Sequence, residues 1–343
     1  MRLWGVNAWC RARKRSAMFE GRAGCYNARR SAFHEHPPGV SHLLKPFRLH
    51  EPTTVSEAIG LLREHGDAAR LYAGGTELLL AMKAGYLHYD ELVNVKTVTG
   101  LDRIWKETDG TLHIGPAATH AALESSVLVA ECRPLLANVE HRVANVRVRN
   151  VGTIGGNICF AEPHSDPAAV LVLSGARVEV TGPRGARVVR MDELQTGPYE
   201  TVLADDEMLT DIVVQHEPDG VRSAYLKFGY HHRPTLGIAV GVLLDAGGTI
   251  IEDVRVALGS VPPVALRVRP AEDVLKGETV ASVLADGSMV AARAGEIAAE
   301  ACGATGDLHG SAEYKRHLVE VLVPRAVAQA ITAPLHLAGG SGA

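Results

Sequence analysis

Between Arg147 and Asp166 the chain reads RVRNVGTIGGNICFAEPHSD. Gly152, Gly155 and Gly156 lie around Thr153 and Asn157, and a carboxylate, Asp166, directly precedes Pro167. Glycines this close together weaken any regular element, because each gives up more backbone freedom on folding than another residue would. What they permit is a backbone without Cβ atoms that can approach a ligand and turn its N–H groups toward it. With short polar side chains among them, the pattern suits an anion, typically a phosphate. A second stretch, Leu71 to Leu78 (LYAGGTEL), has the same character far upstream. Two such turns predict one ligand held from two sides.

The pattern around these turns alternates helices and strands. Thr54 and Glu57 form a capping box ahead of Ala58, Ile59 and Leu62 at helical spacing, and Gly66 supplies the stop. A short apolar run from Ala69 to Ala73 reads as a strand entering Gly74–Gly75, after which Thr76 can cap a helix over Glu77 to Ala84. Strand, glycine turn and helix start then follow one another, the order that points N–H groups at an anion. Further strands are expected near 91–95, 111–115, 176–181, 187–191 and 208–215. Beyond Asp219–Gly220, strands near 223–228, 237–245 and 254–259 precede helices over 280–284, 289–301 and 312–330. Ser311 caps the last helix, and Pro324 is expected to kink it.

At 343 residues the chain has room for two domains, and its 46% hydrophobic and 22% charged content is that of a soluble globular protein. No apolar run is long enough for a transmembrane helix. Residues 1–44 carry eight Lys/Arg against two Glu, a net of +6, which leaves −10 on the remainder, so nucleic-acid binding is not expected of the body. The basic segment reads as a disordered tail or a misassigned start, with Met18 a later candidate. Arg29–Arg30 is not followed by the apolar stretch of an export signal. Cys10, Cys25, Cys132, Cys159 and Cys302 form no CxxC, so neither a disulfide framework nor an iron–sulfur or zinc site is readable, and a cytoplasmic setting is the default. Cys159 reads as a small buried residue. His231–His232 has no third ligand at a recognisable spacing, and no metal site is assigned.

Neither glycine turn has the G-x-G-x-x-G spacing of a Rossmann site, and the Walker pattern is also absent. A nucleotide, if bound, is bound by another fold. LYAGGTELLLAMKAG and VRNVGTIGGNICFAEPHSDPAAVL, with PFRLHEPTTVSEAI before them and SAEYKRHLVEVLVPRAV near the end, together resemble the FAD-binding medium subunits of molybdenum hydroxylases. This is the family of the carbon monoxide dehydrogenase medium subunit and the xanthine dehydrogenase FAD domain. The resemblance spans roughly 45–330. It implies an α+β chain with the two-subdomain FAD-binding fold of the vanillyl-alcohol oxidase type, followed by a smaller α+β C-terminal domain. The expected division is 45–98 for the small subdomain, 99–219 for the larger one, and 220–332 for a C-terminal domain of three strands plus helices, with 333–343 a tail.

The same resemblance assigns the site. Ala73, Gly74, Gly75, Thr76, Glu77 and Leu78 would line the diphosphate and flavin, and Thr153, Gly155, Gly156 and Asn157 would wrap the diphosphate from the other side. Asp166 would meet the adenosine ribose, Leu209 the adenine, and Lys227 the flavin ring or ribityl chain. Read from the residues alone, Asp166 before Pro167 serves equally as a helix N-cap, and Lys227 on an apolar strand demands an anionic partner. No catalytic residue is expected. The implied activity is that of an oxidoreductase subunit. It would pass electrons from the [2Fe–2S] clusters of a small partner through FAD to an external acceptor, while a large molybdopterin-binding partner carries the substrate chemistry in a dimer of heterotrimers. The alternative is a self-contained FAD-dependent oxidase or dehydrogenase of the same fold.

Overall fold

The structure is a computed structural model that describes residues 44–229 and 233–334. The basic N-terminal segment, the C-terminal tail beyond 334 and His231–His232 lie outside the described residues. The small subdomain begins with β1 (Arg48–His50), α1 (Val55–His65), β2 (Ala69–Tyr72), α2 (Leu78–Lys83) and β3 (Glu91–Asn94). The three strands are parallel in the order β1-β3-β2, so β3 is central, with Leu92 and Val93 fully buried. Parallel strands need crossover connections: α1 carries the chain from β1 past β3 to β2, and α2 lies on the return from β2 to β3. Its capping box forms as the sequence predicts: Glu57 N–H donates to Thr54 Oγ1 at 3.2 Å, and Thr54 N–H donates back to Glu57 Oε2 at 3.2 Å. Ala58, Ile59 and Leu62 are its buried face, and Gly66 ends it with φ +52°.

The larger subdomain holds β4 (Ile104–Lys106) and β5 (Leu112–Ile114), then six short helices. These are α3 (His120–Ser125), α4 (Val127–Cys132), α5 (Pro134–His141), α6 (Val146–Val151), α7 (Ile154–Phe160) and α8 (Asp166–Leu173). It closes with β6 (Arg177–Gly182), β7 (Gly185–Arg190), α9 (Met191–Leu194), the β8 (Gln195–Gly197) and β9 (Glu200–Thr201) pair, and β10 (Met208–Val214). The main sheet runs β4-β5-β10-β6-β7, antiparallel throughout. Every residue of α8 is buried.

The C-terminal domain explains that burial. It has β11 (Arg222–Phe228), β12 (Leu236–Leu244), β13 (Ile251–Gly259) and β14 (Leu266–Arg267), then α10 (Arg269–Leu275), α11 (Val280–Leu284), α12 (Met289–Ala301) and α13 (Ala312–Thr332). Along β12 large and small residues alternate with period two. Leu236, Ile238, Val240 and Val242 pack into the core shared with the C-terminal helices, while Gly237, Ala239 and Gly241 occupy the other face. Against that second face lies α8: Ala239 and Ala257 join its core cluster, and a Cβ on Gly259 would come 3.3 Å from Ala169 Cβ. The sheet has four strands rather than the expected three, because the two-residue β14 is too short to show a period in sequence.

Pro324 sits inside the continuous α13. Proline has no N–H, so the Glu320 carbonyl four residues earlier loses its helical donor. Gly295 of α12 fills the space beside that carbonyl: a Cβ there would lie 2.2 Å from Glu320 O and 3.1 Å from the Pro324 ring. Gly295→Ala is therefore expected to push the two helices apart and lower unfolding stability by about 1–3 kcal/mol. Urea denaturation of the two proteins measures the difference, and unchanged stability would mean that the helices do not approach as described.

Candidate cofactor-binding site

The two glycine turns meet. A Cβ on Gly74 would lie 2.2 Å from Val151 O and 2.5 Å from Gly152 Cα, so only glycine fits where the first turn crosses the second. A Cβ on Gly152 would lie 3.5 Å from Thr76 Oγ1, and one on Gly156 would lie 3.7 Å from Ala73 Cβ. Gly75 takes φ +68°, a conformation that side-chain-bearing residues avoid.

The two turns differ in what they offer an anion. Those of Gly74, Gly75, Thr76, Glu77 and Leu78 form a run of five backbone N–H groups for which no described residue supplies an acceptor. In the second turn the corresponding groups are spent within the protein. Ile154 N–H donates to Ala118 O at 3.1 Å, Gly155 N–H to Pro116 O at 2.9 Å, and Gly156 N–H to Thr153 Oγ1 at 3.1 Å. The first turn keeps its donors open, as an anion-binding nest would, and the second stands against it as a wall. Thr76 does not cap α2: the N-cap is Glu77, without a side-chain bond, which leaves the Thr76 hydroxyl facing the wall. Asn157 spends its Oδ1 on the Ser165 hydroxyl at 2.5 Å and keeps its amide N–H groups.

Asp166 and Lys227, assigned separate contacts by resemblance, are partners of one another here. Lys227 Nζ donates to Asp166 Oδ2 at 2.7 Å and to Arg142 O at 3.2 Å, and the Tyr225 hydroxyl donates to Asp166 Oδ1 at 2.7 Å. Both charged side chains are 5% exposed, so each is the other's compensation for leaving water. Burial, reinforced by the Asp166 charge, pushes the Tyr225 phenol well up and keeps it a donor. Gly237 makes room for it, since a Cβ there would meet the Tyr225 oxygen at 2.2 Å. The Ser165–Asn157 bond joins this trio to the second turn. Leu209 bonds to neither group; it is 5% exposed in the same buried core cluster as Ile154 and Ile158.

One feature of the site escaped the sequence. Arg233, at the head of the C-terminal domain, pairs with Glu162 and reaches Glu77 of the first turn at 2.8 Å. Glu162 also receives the Tyr199 hydroxyl at 2.7 Å and His164 Nδ1 at 2.8 Å, and His164 Nε2 lies 3.3 Å from Asp307, the partner of the buried Lys315. Burial raises the Glu162 carboxyl, but the His164 and Tyr199 hydrogen bonds and the Arg233 charge outweigh it and bring its pKa to about 2. A charged chain thus runs from the nest into the C-terminal domain. The only hint in sequence was the density of ionisable residues in AEPHSD. Cys159 is no redox candidate, since burial pushes its thiol up to about 12.

A glycine turn with open N–H groups, crossed by a second glycine turn beside a buried carboxylate, has the make-up of a nucleotide-binding protein of the non-Rossmann kind. Residues 45–215 match the family described as the FAD binding domain in molybdopterin dehydrogenase, and residues 233–330 match the CO dehydrogenase flavoprotein C-terminal domain. The chain is 33% identical to the nicotine 6-hydroxylase medium subunit of Paenarthrobacter nicotinovorans, across 84% of this chain and 98% of that one. It is 31% identical to the carbon monoxide dehydrogenase medium chain of Hydrogenophaga pseudoflava, across 82% and 96%. Among solved structures, it is similar to the carbon monoxide dehydrogenase of Oligotropha carboxidovorans, with a TM-score of 0.79 and 30% identity over 85% of this chain and 100% of that one. The chain belongs to the family of FAD-binding medium subunits of molybdenum hydroxylases, and it is an oxidoreductase subunit with FAD as its cofactor.

Two outcomes follow from the buried charges. Lys227→Met leaves the buried Asp166 carboxyl without its cation, with an expected loss of about 3–5 kcal/mol in urea unfolding; a loss below about 1 kcal/mol would show that the pair is not closed. For Glu162 the folded pKa of about 2 lies below the ordinary 4.5, so its stabilisation is present above pH 4.5 and fades as pH falls toward 2. Glu162→Gln should cost on the order of 3 kcal/mol at pH 7 and progressively less below pH 4.5. A gap between the two proteins that stays constant down to pH 2.5 would contradict the assignment.

Proposed function

We propose that this chain carries electrons through FAD between an iron–sulfur partner and an external acceptor, with the substrate chemistry on a large molybdenum-binding partner. The observation that carries the reading is the run of free N–H groups from Gly74 to Leu78, walled by Gly152–Asn157. Five donors in sequence suit the two phosphates of a dinucleotide. FAD, when bound, exchanges electrons singly or in pairs and so links a one-electron relay to a two-electron acceptor.

The chain's own residues bind and orient. Ala73 to Leu78 receive the diphosphate and flavin, with the Thr76 hydroxyl as an added donor, and Thr153, Gly155, Gly156 and Asn157 close the other side. Asp166 retains lone pairs for a ribose hydroxyl while Lys227 holds its charge in place. Leu209 would pad the adenine, and Arg233 fixes Glu77 at the edge of the nest. No nucleophile or acid–base pair is needed. Partners of two kinds fit the family: a small [2Fe–2S] subunit and a large molybdopterin-binding subunit, in a dimer of heterotrimers. The cytoplasmic setting is supported by the free thiols of Cys132, Cys159 and Cys302, and no described helix is long and apolar enough to cross a membrane.

Purified protein should be yellow with flavin absorbance, and FAD, not FMN, should be released on denaturation. Gly74→Ala, which drives a Cβ into the Val151 carbonyl, should lose most of that flavin. Retention of full flavin by the variant, or release of FMN from the parent, would overturn the reading. Bleaching of the flavin by aldehyde or aromatic substrates added to the isolated chain would instead favour a self-contained dehydrogenase.

A further inference from the structure

On the small subdomain, away from the glycine turns, three metal-ligating side chains converge from three separate elements. His50 ends β1, His65 is the last residue of α1, and Glu91 opens β3. Their ligand atoms all lie within 4.8 Å of one another. His50 Nε2 lies 2.6 Å from Glu91 Oε2, and the His50 and His65 rings stand 5.1 Å apart, tilted by 31°. We infer that His50, His65 and Glu91 form a binding site for a divalent transition-metal ion, zinc by the chemistry of the donors, which clips β1 and α1 to β3.

Four physical points support the assignment. Two imidazoles and one carboxylate are a donor set that zinc accepts, with a fourth position left to water. The His65 ring makes no hydrogen bond to a described residue, so its nitrogens are uncommitted although the ring is held beside the other two groups. The site lies at the C-terminal end of α1, where unpaired carbonyls favour a cation. Glu91 and His50 keep only 15% and 17% of their side-chain surface, enough for an ion to enter and little enough for the bonds to be worth more than in water. Zinc bonds of about 2.0–2.2 Å need ligand atoms about 3.3 Å apart, so capture requires His65 to close by about 1–2 Å and the short His50–Glu91 contact to open. Arg48 lies 3.9 Å from the other Glu91 oxygen and does not occupy the ligand atom.

The site shares no residue with the FAD cradle, so the inference stands apart from the proposed electron-transfer role. The full-length protein, stripped with a chelator, is dialysed against zinc, and bound metal is measured by mass spectrometry. Cobalt(II) is added in parallel and its visible absorption recorded. The parent is expected to take up one tightly held equivalent and to give the intense cobalt bands of a four-coordinate site. His65→Ala and Glu91→Gln should each weaken uptake by more than the about 10–100-fold that loss of an outer hydrogen-bond partner costs, and should abolish the cobalt bands. Circular dichroism and flavin content, unchanged in both variants, exclude misfolding; if His65→Ala fails to fold, Glu91→Gln and the cobalt spectrum of the parent decide. No saturable uptake by the parent overturns the site, as does an equivalent retained by both variants, because the metal would then lie on other histidines.

Discussion

The buried pair of Asp166 and Lys227 is the constraint on which the rest of this molecule depends. Neither charge can lose the other without standing alone in a region that water does not reach. Asp166 begins the fully buried α8, and Lys227 comes from β11 of the following domain. Their bond fixes the helix against the sheet edge, and Ser165 then passes that position to Asn157 of the second turn. Small residues on one face of β12 and β13 let α8 sit close. The packing and the ion pair therefore specify the same arrangement from two directions, which is what singles out one structure.

Around that anchor the cofactor cradle divides its work. The first turn leaves its N–H groups open because Gly74 and Gly75 bend the chain before α2 can capture them. The second turn satisfies its donors from Ile154 to Asn157 within the protein and packs against the first. A strand-to-helix link with open donors is thus braced by one whose donors from Ile154 to Asn157 are bonded within the protein. The Glu77–Arg233–Glu162 chain extends the brace into the C-terminal domain, so the edge of the nest is held by charge as well as by packing.

Much of this was legible in the residues. The capping box of Thr54 and Glu57, the glycine turns and the period-two strands near 176–181 and 208–215 each carry their cause within a few positions. The resemblance located the turn residues, which the structure brings together, and family membership accords with it. Other features were hidden for a common reason: their partners are distant. Arg233 finds Glu162 and Glu77 across 71 and 156 positions, and nothing local marks them as neighbours. Asp166 and Lys227 were each singled out, one as a cap and one as a lysine in need of an anion, but only the fold shows that each answers the other. Thr76 was read as the helix cap because capping is a local habit of threonine, whereas the crossing at Gly74 shifts the helix start to Leu78. The two-residue β14 has no period to read.

One consequence concerns synthesis of the chain. The helix that borders the cradle is covered on one side by strands that emerge from the ribosome some sixty or more residues after it. Until Tyr225 and Lys227 have been made, Asp166 has no counter-charge and α8 no roof. The FAD-binding half is thus not closed by its own sequence; the carboxylate at the head of α8 is matched by residues that belong to its neighbour. A nascent chain that stalls before β12 would leave the apolar α8 without the strands that cover it.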